Sequence, residues 1–246
     1  MYDIILCEGE TDAILISYYL KNLMSFQYIN STPKKVPKLN NVNNQIQWYK
    51  GNRNQYLAIC PIGGSDFCHA MNEIVHYNKS ANDTEIFCKI ALVMDHDDDS
   101  TENVIDLIGQ NLCFKEPFKA GIWKSFIYNN SFKAEIKSEI VCILQPDDEY
   151  GALETFVLKM LSQNDLENEN VVKQVKKFIA DFSSKKYLKH RRDKTKAELS
   201  VSLSVICPSK TFTTINEFLS KIAWEKYNGF KQQFRLLEHF NEDICD

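Results

Sequence analysis

Two apolar runs of strand length, each ending abruptly in acids, constrain this chain more than any other feature. Ile4-Ile5-Leu6-Cys7 leads into Glu8-Gly9-Glu10-Thr11-Asp12, and Ile90-Ala91-Leu92-Val93-Met94 leads into Asp95-His96-Asp97-Asp98-Asp99. Continuous apolar runs of this length are the pattern of parallel strands buried on both faces. Open α/β sheets bind ligands beyond the carboxyl ends of such strands. If the two runs are neighbouring strands, Glu8 meets Asp95 and Asp97, and carboxylates so gathered repel unless a cation holds them. Oxygen-only ligands favour Mg²⁺ or Mn²⁺ over zinc. Asp95 and Asp97 stand two apart, so in an extended strand end both fall on one face and His96 on the other. The residues therefore point to a site for one or two metal ions built from Glu8, Asp95 and Asp97, with Asp12 as a further acid beside it. The bland alternative for residues 95–99 is a solvated acidic loop.

Each acidic turn is followed by helical spacing. After Glu8, Thr11 or Asp12 can cap a helix whose inner face is Ile16, Tyr19, Leu20 and Leu23, and Gly9 is expected to let the backbone turn tightly. Tyr56–Ile62 reads as another strand, followed by Gly63-Gly64-Ser65-Asp66 and a helix carrying Phe67, Ala70, Met71, Ile74 and Val75. The two glycines permit close approach of a phosphate, or they serve a tight turn with no ligand. Further strands are expected near Gly121–Tyr128 and Glu139–Gln145. Strands alternating with helices predict an α/β fold, a mainly parallel sheet flanked by helices with right-handed crossovers. Residues 25–55, with two prolines, a Lys34-Lys35 pair and many asparagines, read as a polar surface insertion whose end, Trp48-Tyr49, packs back on the body. Beyond Glu149 the texture is helical. The chain is thus expected to divide into an α/β domain, 1–150, and a C-terminal helical appendage, 151–246.

A net charge of −4 hides segregation of sign. Val171–Lys196 holds ten Lys or Arg against two acids, whereas Asp95–Asp106 holds six acids and no Lys or Arg. An acidic site beside a basic strip suits a metal enzyme acting on a polyanion. The eight cysteines include no C-x-x-C pair, and several lie in apolar runs, so they are expected to be reduced thiols of a cytoplasmic protein. No apolar run is long enough for a membrane span.

The joined pattern resembles the Toprim domain: an apolar strand with Glu8-Gly9 and Asp12-Ala13, the Gly63-Gly64 turn after a second strand, and Asp95-x-Asp97 after a third. The resemblance covers about residues 1–150 and implies a Rossmann-like fold. Two later segments are similar to the nuclease part of the OLD family. Gly151-Ala152-Leu153-Glu154 looks like the segment whose acid supplements the metal site, although Glu154 is equally explained as a first-turn acid favoured by the helix dipole. Asp193-Lys194-x-Lys196-Ala197 looks like the segment carrying a catalytic or phosphate-contacting lysine, although Lys194 is also readable as one more exposed base. The resemblance implies a metal-dependent nuclease, with Glu8, Asp95, Asp97 and Lys194 catalytic, Glu154 assisting, and Arg191, Arg192, Lys196, Gly63 and Gly64 contacting DNA or RNA. An EF-hand match over Asp95–Asp106 fails at Ser100, where glycine is required. A haloacid-dehalogenase-type reading of Asp95-x-Asp97 leaves Glu8-Gly9 unexplained. The chain has no P-loop, which leaves a nuclease acting alone, as part of phage defence, or a non-autonomous subunit served by a separate ATPase. Homo-oligomerisation is compatible with either. The insertion and the aromatic segment Trp224–Phe240 are the expected contact surfaces.

Overall fold

The computed structural model describes residues 2–33, 46–52, 55–63, 66–82, 84–96, 99–182, 186–210 and 213–242, without the side chains of 99, 100 and 210. The fold is mixed α/β, with helices flanking a seven-stranded sheet of order β2-β3-β4-β1-β5-β7-β6. The strands are β1 (Tyr2–Cys7), β2 (Gln27–Ile29), β3 (Gln47–Lys50), β4 (Tyr56–Pro61), β5 (Phe87–Asp95), β6 (Lys124–Asn129) and β7 (Glu135–Gln145). Helices α1 (Glu10–Asn22), α2 (Phe67–Ser80) and α3 (Asp99–Asn111) follow β1, β4 and β5.

The parallel pairs lie at the centre, where β1 pairs with β4 and with β5. These strands need apolar residues on both faces, and β1 and β5 are buried at every position. Cys7 stands in register with Pro61 on one side and Val93 on the other. Both edges are antiparallel: β2 with β3, β3 with β4, and β6 with β7. The sheet is therefore parallel in its middle and mixed overall. The stretch 25–55 is also more than an excursion, since β2 and β3 come from its two ends. These strands are too short to show a period of two. Trp48 and Tyr49 of β3 are buried, and the Tyr49 hydroxyl donates to Ser17 Oγ at 2.7 Å.

The chain forms two compact units: Met1–Met94 with Asp98–Leu144 and Phe234–Asp246, and Asp95–Asp97 with Gln145–Gln233. This differs from a division at 150, because the last segment belongs with the first unit. The second unit carries α4 (Leu153–Ser162), α5 (Leu166–Asp181), α6 (Arg191–Ile206), α7 (Ile215–Leu219) and most of α8 (Asn228–Phe234). Helices α4, α5 and α6 pack on one another. Trp224 stacks on Phe230 at 5.3 Å between ring centroids, and its indole N–H donates to Leu219 O at 2.8 Å. In the first unit, Phe234, Leu237 and Phe240 are fully buried. The aromatics of 224–240 thus fill cores, which withdraws them as an expected contact surface. Among the described residues no helix is long and apolar enough to cross a membrane. The seven described cysteines are free, and burial pushes the Cys60 and Cys142 thiols up to about 12.

A buried polar knot pins the terminal segment to the first unit. Lys89, 1% exposed in β5, donates through Nζ to His239 O at 2.6 Å and Glu242 O at 2.5 Å. Its backbone N–H donates to Asp3 Oδ1 at 3.0 Å, and Gln55 Nε2 donates to Asp3 Oδ2. Burial raises the Asp3 carboxyl to about 6, against the lowering pull of the Gln55 and Lys89 hydrogen bonds and the Lys89 charge. A carboxyl with a raised folded pKa binds its proton more tightly when folded. Its contribution to stability is therefore complete below about pH 4 and is lost as pH rises through about 6. The difference is on the order of 2–3 kcal/mol. Wild type compared with Asp3→Asn should lose stability between pH 4 and 6.5 in urea denaturation, and parallel pH profiles would contradict this assignment.

Candidate functional site

In the first unit, the Cys7 carbonyl at the end of β1 accepts from Ile62 N–H at 2.9 Å, so the turn after β4 adjoins the turn after β1. Glu8 is half-buried in the latter turn. Asp12 is buried, and its Oδ2 accepts from Gly9 N–H at 2.9 Å, closing the first turn of α1. That makes Asp12 a capping residue first. Gly9 has φ −140°, an extended conformation open to any residue, so the tight turn expected of it is not what the glycine supplies. Gly63 does lie in the left-handed region, at φ +73°, where glycine carries no steric cost. Gly64 lies outside the described residues.

In the second unit, Asp95 is 6% exposed at the carboxyl end of β5. Its Oδ1 accepts from Leu153 N–H, the first residue of α4, at 3.1 Å, and its Oδ2 pairs with the Arg192 guanidinium at 3.0 Å. A helix N-terminus leaves N–H donors unsatisfied, so α4 suits a buried carboxylate as its partner. Glu154, next in α4 and shielded from solvent, lies 4.0 Å from Lys196 Nζ. Arg192 and Lys196 are four apart on α6 and share a face, so one helix brings two cations to two acids. His96 turns elsewhere: its Nδ1 lies 3.2 Å from Pro146 O and its ring packs on Tyr150 at 4.7 Å.

Lys194 does not join this group. Two residues from Arg192 is about 200° around a helix, and its charge acts on Glu198, whose carboxyl burial raises while Lys176 and Lys194 oppose the shift. Lys194 thus lies on a different face of α6 from Arg192, and Lys196 is the lysine beside Glu154. Arg191 is exposed at the head of α6. Asp97 lies outside the described residues, and among the described residues no three His, Cys, Asp or Glu side chains gather closely enough to hold a metal.

Two features were not expected from the sequence. Gln145 ends β7, its carbonyl accepts from His96 N–H at 3.1 Å, and its fully buried amide has no hydrogen-bond partner among the described residues. A polar residue closing the apolar run Ile140–Leu144 was its signal, the same sign that marked Asp95. Gly151 donates its N–H to His96 O at 2.7 Å, and a Cβ there would come within 2.6 Å of Thr155 Cβ. Overpacking of this kind typically costs about 1–3 kcal/mol. Gly151→Ala should lower the unfolding midpoint accordingly, and an unchanged midpoint would show that Thr155 yields freely.

A family model described as "Protein of unknown function (DUF3226)" matches residues 2–235. The chain belongs to the DUF3226 family. Comparison with curated proteins finds no match. Among solved structures, this DUF3226 chain is similar to the crystal structure of a hypothetical protein from Pyrococcus horikoshii OT3, with 15% identity, a TM-score of 0.49, and coverage of 98% of this chain and 100% of that one.

Proposed function

We propose that this chain is a Toprim-like, metal-dependent nuclease that hydrolyses phosphodiester bonds in nucleic acid. The observation that carries the reading is the convergence on buried Asp95 of an α4 N–H and Arg192, with the Glu154–Lys196 pair contributed by the same two helices. Acids suited to a cation and bases suited to a phosphate thereby stand at the end of one strand. The donor set fits Mg²⁺ or Mn²⁺: Asp95 and Glu154 offer only oxygen, and the orphaned Gln145 amide is the kind of buried group that a ligand or its water completes. Glu8 and Asp97 belong to the proposed ligand set on the strength of the sequence pattern. One or two such ions would supply an activated water and stabilise the leaving oxygen.

The chain's own groups have distinct tasks. Asp95 is held in one orientation by Leu153 N–H on Oδ1 and by Arg192 on Oδ2. Arg192 and Lys196 neutralise the acids and, with substrate present, turn their charge to the scissile phosphate. Glu8 serves as general acid or base.

The test is a cleavage panel of plasmid DNA, linear single- and double-stranded DNA, and tRNA, with Mg²⁺ or Mn²⁺ against EDTA. Metal-dependent cutting that Glu8→Ala abolishes supports the reading and names the substrate. Cutting indifferent to EDTA and to that substitution overturns it. A wild type that cuts nothing transfers the weight to a subunit that works only with a separate ATPase.

A further inference from the structure

The second unit leaves aromatic rings in solvent within its most basic stretch. Phe178 and Phe182, at the end of α5, are 57% and 47% exposed, and their ring centroids lie 6.0 Å apart. Tyr187, 66% exposed, stands before α6 with Lys186 Nζ 4.8 Å above its ring. Lys177, Lys186 and Lys189 are exposed and lie within three residues of one of these rings in the sequence. The apolar face of α5 is already satisfied by Val172, Val175 and Ile179, which are buried, so these rings are not part of the core. Helix α5 packs along α6, and from the head of α6 Arg192 reaches Asp95.

We propose that these aromatic and basic side chains, at the end of α5 and preceding α6, bind single-stranded nucleic acid and feed it toward Asp95. Cations neutralise the phosphates, and exposed rings offer π faces that unpaired bases can stack on. A duplex hides those base faces inside its own stack. An anionic membrane is a poorer fit, because α5 keeps no continuous apolar face free to enter it. As a statement about substrate the inference rests on the nuclease reading above, but binding without metal is separately measurable.

The experiment is fluorescence anisotropy of the full chain in EDTA with an unstructured pyrimidine strand of about 16 nucleotides, the upper end of one single-strand site. A hairpin duplex of equal length and phosphatidylserine vesicles are the comparators. The strand should bind more tightly than the duplex, and Phe178→Ala/Phe182→Ala should weaken strand binding by about tenfold or more while leaving the duplex unchanged. Phe178→Leu/Phe182→Leu, which keeps apolar bulk without a ring, should weaken it too, with unfolding midpoints confirming that both variants fold. Equal binding of strand and duplex, indifference to loss of both rings, or binding of vesicles alone would overturn the proposal. Strand binding without cleavage activity would leave this surface standing and shift the weight from a nuclease acting alone to a subunit that works only with a separate ATPase.

Discussion

Under the proposed nuclease function, replacing Asp95 by Asn is expected to lower metal-dependent cleavage by about three orders of magnitude or more, since metal catalysis supplies several kcal/mol and each 1.4 kcal/mol or so is tenfold in rate. Asn preserves the shape and the acceptor for Leu153 N–H. It removes the charge that answers Arg192, whose half-exposed side chain can turn to water. Stability should therefore fall far less than activity, and a thermal melt beside the cleavage assay separates the two. Asp95→Ala is the harsher control, because it strands the Leu153 donor at a cost of about 1–3 kcal/mol. Full activity in Asp95→Asn would remove Asp95 from the chemistry altogether.

Lys89→Met is expected to have the largest effect on folding, about 2–6 kcal/mol, because it strands the buried carbonyls of His239 and Glu242 at about 1–3 kcal/mol each. The ammonium satisfies two carbonyls of the terminal segment and stands near buried Asp3. Protonation spares Asp3 the missing Lys89 charge, so the loss should be smaller at pH 5 than at pH 7. Combining it with Asp3→Asn should cost less than the two changes summed, because they share one knot. Urea denaturation of the four proteins at both pH values measures this. Additive losses would show that Asp3 and Lys89 act independently.

The central strands could be read from the sequence because burial on both faces leaves no ambiguity in an apolar run, and β1, β4 and β5 are such runs. β2 and β3 could not, because three or four residues in an Asn-rich setting carry no period. Asp95 and Glu154 were singled out, and the structure brings each to a cation. On α6 it is Lys196, not Lys194, that faces Glu154, and the sequence alone does not fix which face of that helix meets the acids. Lys89 is not legible in the sequence, because a charged residue in an apolar run looks like a surface interruption until a distant segment, here 234–242, supplies its partners. Gln145 carries the same signal as Asp95, a polar residue closing an apolar run, but it is uncharged and stands beside a conspicuous row of acids.

The return of residues 234–242 to the first unit has a consequence for how the protein is made. A ribosome delivers β1 to β7 early, yet the Lys89 ammonium waits for carbonyls that emerge only after the whole second unit has been synthesised. The nascent sheet must remain open along that flank, with a buried-type charge exposed to solvent, while the helices between Gln145 and Gln233 fold. Closure of the first unit is thus a late event, and a chain stalled before residue 239 would present an unfinished sheet to the cell's quality control.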